Sequence, residues 1–383
     1  MQAENKRATR AVIHLDHIIH NLECIKQLTG GDKKICIAVK ADAYGHGALE
    51  ISRKALDWGV DFLAVATVYE GIILRKAGID APLILFGFAL DEEIPEIVSH
   101  GFTPFVGDAA YAARLDEEAF RQGVILNVHM KIDTGMGRIG VSPEGAPLLA
   151  ENLVEMKNLK LEGVCTHLPV SDSPLEDDLH FTEELIGLLI RTFEAVRAKG
   201  IDPGIIHAAN SGAIITHPEA HFDMVRPGIC LYGYYPDHRM VKTVDFKPVM
   251  DLVSRLSFLK KVQKGSPISY GRTWLAPEDT WIATIPAGYA DGYNRLLSSR
   301  GRVLVKGKSC LVTGRVCMDQ FMIDLGAETE AVLFDEVLLF GGAEGGMTAG
   351  DIAALAGTIP YEITCNINKR VPRDYKVSGR TFF

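Results

Sequence analysis

The feature that most narrows the fold of this chain is an alternation of texture. Through the first two thirds, eight short, largely β-branched runs recur: Ile35–Lys40, Phe62–Thr67, Pro82–Gly87, Thr103–Val106, Ile125–Ile132, Leu161–His167, Ile205–Asn210 and Met224–Cys230. Helix-length amphipathic segments lie between them. Ala48–Trp58 carries Leu49, Ile51, Ala55 and Leu56, and Phe181–Lys199 carries Leu185, Leu188, Leu189, Phe193 and Val196, at helical spacing. Strand-helix alternation of this kind builds a parallel sheet, and eight units close into a (β/α)8 TIM-type barrel of roughly 250 residues. An open, doubly wound sheet is the competing topology.

After about Asp245 the texture changes. Val249–Val262, Trp281–Ile285, Arg302–Val305, Cys310–Val312, Gln320–Leu325 and Glu336–Phe340 read as closely spaced strands with Gly-rich turns, and only Ala349–Ala356 reads as a good helix. The expected division is a barrel over 12–245 and a mostly β domain over 246–383 joined by 1–11. Arg10–His14 reads as a strand and Asp16–Leu28 as a helix, and the strand fits either domain.

Composition excludes several classes. With 40 Lys plus Arg against 49 Asp plus Glu, the net charge is −9, and no basic block suits a nucleic-acid backbone. The charged N-terminus lacks the apolar core of a secretory signal. The longest apolar run, Ala81–Leu90, is far short of the roughly 18–20 residues that span a bilayer. The expectation is a cytoplasmic protein with no nucleic-acid or membrane partner. Seven scattered cysteines without a Cys-x-x-Cys pair argue against disulfides and a zinc ribbon.

The chemistry collects at the ends of the strand runs. The first ends in Ala38-Val39-Lys40-Ala41-Asp42-Ala43-Tyr44-Gly45-His46-Gly47, and a lysine at the carboxyl end of a barrel strand stands where catalytic groups gather. Burial there lowers an amine's pKa towards a useful nucleophile. Lys131, His167, Asn210-Ser211 and Arg226 end other runs, and a purely structural barrel has no need of such groups at one mouth.

These residues carry a family resemblance. The segment around Lys40 resembles the cofactor-lysine motif of the alanine racemases, pyridoxal-phosphate enzymes with a barrel and a β domain. Lys131–Gly140, Val225–Gly233, Ser269–Thr273, Pro286–Arg295, Gly314–Gln320 and Pro360–Arg373 also resemble family motifs, in family order, over essentially the whole chain.

The resemblance implies specific roles. Lys40 would hold pyridoxal 5'-phosphate through its amine and then act as a base on one face of the substrate Cα. Tyr270, contributed by the partner subunit of a homodimer with shared sites, would serve the other face. An ordinary phenol titrates near 10, so its site must favour the phenolate, and His167, beside it and close to Arg226, would tune it. Arg226 would face the pyridine nitrogen, where many such enzymes carry a carboxylate. Tyr44, Ser211, the backbone at Gly228-Ile229 and Tyr361 would hold the phosphate. Arg138 would contact the cofactor's phenolic oxygen and the substrate carboxylate, with Lys131 matching a lysine often carbamylated in the family. The backbone at Met318 would help bind the carboxylate, and Tyr289, with Asp172, Arg295 and Arg315, matches the access corridor.

Two departures stand out. Leu168-Pro169-Val170-Ser171-Asp172 replaces the common Phe-Ala-x-Ala-Asp, and Gly212 follows Asn210-Ser211 where alanine is usual. The first lies near the entrance and bears on substrate breadth more than on reaction type.

Other patterns fail on spacing. The stretch from Gly301 to Lys308-Ser309 is spaced wrongly for a P-loop and precedes no helix, and Gly341–Gly346 reads as a flexible turn. His217-Pro218-Glu219-Ala220-His221 is not a zinc helix, and His14, His17 and His20 read as solvated or half-buried side chains. No metal is expected.

The reading is a pyridoxal-phosphate-dependent racemase acting on alanine, supplying D-alanine for cell-wall precursors. A serine or broad-specificity racemase is the alternative. A non-catalytic pyridoxal-phosphate carrier resembles only the first domain, and a decarboxylase on this architecture would release carbon dioxide.

Overall fold

A computed structural model describes residues 7–377 and 380–382; the remaining residues of the expected second domain's N-terminal piece, 1–6, lie outside them. The eight apolar runs become the strands Lys34–Ala38, Phe62–Val65, Leu83–Leu85, Thr103–Val106, Leu126–Lys131, Leu159–Cys165, Ile205–His207 and Met224–Val225. They pair in parallel and in chain order, and the last returns to the first with Lys34 opposite Met224. The remaining seam is joined by Asp223 N–H to Ile206 O at 3.0 Å and Arg226 N–H to Ala209 O at 2.9 Å. The sheet therefore closes as a barrel, and the doubly wound alternative falls away.

The strands are mostly shorter than the runs. The first stops at Ala38 because Lys40 opens a tight helical turn. The last shrinks to Met224–Val225, as Pro227 has no N–H to give a ladder and Ile229–Tyr232 coil into a 3₁₀ turn. The helix expected at Phe181 begins at Glu176, where Glu176, Asp177 and Asp178 favour a helix N-terminus.

The second domain is a ten-stranded sheet. Its order is Phe258–Val262, Thr280–Ile285, Phe321–Gly326, Lys308–Thr313, Arg302–Val305, Glu336–Phe340, Met250–Arg255, Arg10–His14, Arg373–Val377 and Arg380–Phe382. Arg10–His14 lies wholly in this sheet, antiparallel to Met250–Arg255 and parallel to Arg373–Val377, so the expected division at residue 12 cuts a single strand. Pro360–Cys365 is a second helix here beside Ala349–Ala356, too short for periodicity to reveal.

One helix fastens the two parts. On Leu15–Leu28, His17, His20 and Asn21 share a face at the spacing of adjacent turns. His17 Nδ1–H donates to Pro248 O at 2.7 Å and His20 Nε2–H to Asp245 O at 2.8 Å. Asn21, fully buried, donates to Leu231 O and Lys247 O and accepts from Lys247 N–H. His14, whose ring stacks on His17 at 4.8 Å, donates through Nε2 to Asp251. These histidines clasp the crossing segment 245–251. Asn21→Leu keeps the branched shape but strands three backbone groups, so urea denaturation should give a stability about 2 kcal/mol lower; an unchanged midpoint would contradict this fastening.

Candidate active site

A cavity of about 400 Å³ opens at the carboxyl end of the barrel, a size usual for small-molecule sites. Every strand contributes to its wall, directly or through the residues just beyond its end: Ala38 and Lys40, Ala66, Phe86 and Gly87, Phe105, Lys131, Thr166 and His167, Asn210 and Ser211, and Arg226 with Gly228. Tyr44, Arg138, Ile139 and Tyr361 complete it, the last from the β domain.

Lys40 begins an unusual turn. Ala41, Asp42, Ala43 and Tyr44 all hold left-handed φ values of 51, 54, 53 and 54°, each costing about 1–2 kcal/mol for a residue with a side chain. Hydrogen bonds offset that cost. Ala43 N–H reaches Val39 O at 2.8 Å, Gly45 N–H reaches Ala41 O at 3.0 Å, and Gly47 N–H reaches Asp42 O at 2.9 Å. Ala41 N–H donates to Glu70 Oε1 at 2.7 Å, while Glu70 Oε2 accepts from Ala66 and Thr67 N–H. Gly45 packs so closely on Thr364 that a Cβ would fall 2.1 Å from its carbonyl oxygen. The Lys40 amine is pushed below its ordinary pKa by burial and by Arg138, with Glu70 opposing.

A second group of atoms forms a cradle. Ser211 Oγ accepts from Gly228 N–H at 2.9 Å and Cys230 N–H at 3.3 Å. A Cβ on Gly228 would lie 2.9 Å from Tyr44 Oη and 3.5 Å from Ser211 Oγ, so a side chain there would fill the space those hydroxyls face. Tyr44 packs between Tyr232 and Tyr361, with ring centroids 4.9 and 5.7 Å away. Burial raises the Tyr44 and Tyr361 phenols, which keeps them protonated as donors. Hydroxyls and backbone around a side-chain-free glycine suit a phosphate group, and an amine and a cation stand in the same cavity. The residues fit pyridoxal phosphate.

Arg226 is 6% exposed. Its Nη2 donates to Thr166 O and Ala208 O at 2.8 and 2.9 Å, and its Nη1 to His207 Nδ1 at 2.8 Å. A guanidinium only donates, so His207 must carry its proton on Nε2 and donate it to His129 Nδ1, 2.8 Å away. His129 Nε2–H in turn points to Glu162 Oε2 at 3.3 Å. Burial, reinforced by Arg226, holds both imidazoles below their ordinary pKa and therefore neutral. The result is a directed chain from arginine to carboxylate. His167 is also held well below its usual pKa, by burial and then by Arg226, Lys131, Arg138 and Lys40. Lys131, 3% exposed, donates to Ile132 O at 3.1 Å, and burial brings its pKa down to about 8.

Of the residues expected from sequence, the cavity brings together Lys40, Tyr44, Lys131, Arg138, His167, Ser211, Arg226, Gly228 and Tyr361, with Ile229 adjoining. It does not include Tyr270, Tyr289, Arg295, Arg315, Met318 or Asp172. Several of these gather on the β domain instead. Ser269 Oγ–H donates to Arg315 O at 2.7 Å, the guanidinium of Arg315 lies against Gly271, and Tyr289 and Ala290 N–H bond Cys317 O and Met318 O. Tyr270, Tyr289 and Met318 are all exposed there.

Sequence reasoning missed Glu70, His129, Glu162 and His207. Thr67-x-x-Glu70 carries the signature of a capping box, which it forms, but nothing in it announces the reach to Ala41. His129 shares the inward face with Lys131 two residues on, a signal that period-two alternation offers.

Comparisons with known proteins agree with this geometry. Residues 13–236 match the sequence model for the alanine racemase N-terminal domain and residues 249–375 that for the alanine racemase C-terminal domain. An alanine racemase from Treponema denticola is 47% identical over 372 residues, covering 96% of this chain and 98% of that protein. Alanine racemase 2 of Caldanaerobacter subterraneus is 42% identical, covering 98% and 97%. The structure of alanine racemase from Streptomyces coelicolor A3(2) superposes with a TM-score of 0.92 at 34% identity, covering 98% of this chain and 99% of that one. The Clostridium difficile 630 alanine racemase in complex with cycloserine gives 0.88 at 35%, covering 98% and 97%. The chain belongs to the alanine racemase family.

Proposed function

We propose that this protein interconverts L-alanine and D-alanine by taking the Cα proton from one face and returning one to the other, in a homodimer whose sites each draw on both subunits. The observation that carries the reading is the separation of two half-sites. The barrel cavity holds Lys40 but no tyrosine expected to act as a base, while Tyr270 stands 72% exposed on the β domain. A second copy that brought its Tyr270 and Met318 over the mouth would complete each site.

Tyr44, Ser211, the backbone at Gly228-Ile229 and Tyr361 would hold the phosphate of pyridoxal 5'-phosphate, and Lys40 its reactive carbon. When bound, the group delocalises the negative charge left at Cα once the proton departs. Arg226, a permanent cation with no proton-accepting atom, disfavours protonation of the ring nitrogen it would face. That keeps charge near Cα, which favours prompt return of a proton over transamination.

Lys40 serves one face, its lowered pKa leaving more of the amine free to accept a proton. Tyr270 of the other subunit serves the opposite face. His167, neutral, still carries one N–H and can donate it to the neighbouring phenolate, which favours that form. Arg138 and the Met318 backbone would hold the substrate carboxylate. Tyr289, Asp172, Arg295 and Arg315 would line the access corridor. The Lys131 amine, with a pKa near 8, is partly neutral under mild conditions and so able to capture carbon dioxide, giving Arg138 an anionic neighbour. Among the described residues no helix is long and apolar enough to cross a membrane. We assign the enzyme to the cytoplasm and to the supply of D-alanine for cell-wall precursors.

Lys40→Ala should lose the visible absorbance of bound cofactor and turnover together. Tyr270→Phe should retain the absorbance while racemisation falls by about 10²–10⁴-fold. After subunit exchange, an equal mixture of the two should regain up to about one quarter of wild-type activity, because half the dimers carry one intact site; verified heterodimers without activity would contradict the shared site. For Lys131, a carbon-13 NMR resonance of a carbamate should grow in labelled bicarbonate as pH rises towards 8 and be missing in Lys131→Met. No resonance at any pH would refute carbamylation.

A further inference from the structure

The two departures from the family pattern meet in space. Ser171 and Gly212 are 41 positions apart in sequence, yet an ideal Cβ on Gly212 would fall 2.8 Å from Ser171 Oγ, 2.8 Å from Asp172 N and 2.9 Å from the Ser171 carbonyl carbon. Two of those three atoms are backbone and cannot swing aside. Gly212 sits inside the helix Ser211–Thr216 with no left-handed φ, so conformational freedom does not account for a glycine there. Relative to alanine, a glycine in a helix costs about 1 kcal/mol. What it permits is close approach.

That approach is clamped. Ser171 Oγ–H donates to Asn210 Oδ1 at 2.7 Å, and the same oxygen caps the helix by accepting from Ala213 N–H. Asn210 Nδ2–H holds Leu168 O at 2.9 Å, and Thr216 Oγ1–H holds Ser171 O at 2.9 Å. The segment 168–172 is thus tied along the helix that begins with Ser211, a wall residue of the cavity. Where the common pattern has a methyl at each position, this chain adds a hydroxyl at 171 and removes the methyl at 212. The hydroxyl lies 2.8 Å from where that methyl would stand, too close for both to be accommodated unmoved.

Asn210, which accepts that hydroxyl's hydrogen bond, lines the cavity, and Asp172 follows Ser171 directly, half-buried. We propose that Ser171 and Gly212 are a matched pair that sets where Asn210 stands in the cavity wall, and thereby the size of amino-acid side chain the site admits. This rests on the racemase reading above. Asn210 lines the cavity; Ser171 and Gly212 act through it as positioning residues.

The test is a double-mutant cycle on the cofactor-loaded enzyme with Gly212→Ala, Ser171→Ala and the double variant. Thermal unfolding is read alongside KM and kcat for alanine and for serine. Gly212→Ala alone should lower the Tm and change the alanine-to-serine ratio of kcat/KM by about threefold or more, chiefly through KM. The double variant should recover part of both effects, since the Oγ contact is gone while the backbone contacts remain. If Gly212→Ala does not fold but the double variant does, coupling is established by that rescue and the ratio is read on the double. Additive changes in Tm, a double variant that also fails to fold, or coupled Tm changes with a constant substrate ratio would each overturn the proposal. A wild-type enzyme that racemises neither amino acid would instead defeat the underlying racemase reading, and this proposal with it.

Discussion

The arrangement of the site depends on one buried cation. Arg226 is taken from water and its polar contacts are two carbonyls and an imidazole. Burying a charge without an adjacent counter-charge is costly, so the surroundings must supply acceptors while adding no further protons. They do so by staying neutral: His207, His129 and His167 are all held below their ordinary pKa by burial, with Arg226 adding to it. Because the guanidinium can only donate, it sets the tautomer of each imidazole in the chain that ends at Glu162. The same field contributes to the low pKa of Lys131. A positive, largely desolvated cavity also favours an occupant carrying a phosphate and a carboxylate, which bulk charge would never reveal in a chain of net charge −9.

On the neighbouring strand, Lys40 depends on a turn that is strained in isolation. The barrel supplies Glu70 as an acceptor, and the β domain supplies the brace. Arg373 Nε and Nη2 both donate to Gly45 O at 3.1 Å, Thr364 packs on Gly45, and the Tyr375 hydroxyl lies against Gly47. The second domain therefore does more than carry Tyr270 on its outer surface. It holds the lysine turn of its own barrel in place, and Pro360–Cys365 delivers Tyr361 to the cavity wall.

Much of this was legible in the sequence where periodicity and strand-end position speak directly. Ala48–Trp58 is an amphipathic helix with the expected limits, and the mouth residues Lys40, Lys131, His167 and Arg226 do converge. The apolar runs overstated most strands because residues such as Val39 and Ile229 remain buried after the ladder ends. Contacts distant in sequence were illegible. Nothing local ties Glu70 to Ala41, Glu162 to His129 or Ser171 to Gly212, and each contact exists only because the barrel brings separate elements together. The helix carrying Tyr361 was too short for any face to declare itself.

The central claim is that the two half-sites, once joined and loaded with pyridoxal phosphate, exchange the Cα proton of alanine between faces. Incubating the loaded enzyme with L-alanine in deuterium oxide, and resolving the enantiomers by chiral chromatography with mass detection, tests it directly. The account predicts that D-alanine rises until the two forms are equal, with deuterium at Cα of the newly formed D-alanine. A cofactor-loaded protein that leaves L-alanine unchanged, or that releases carbon dioxide from it, would contradict the account.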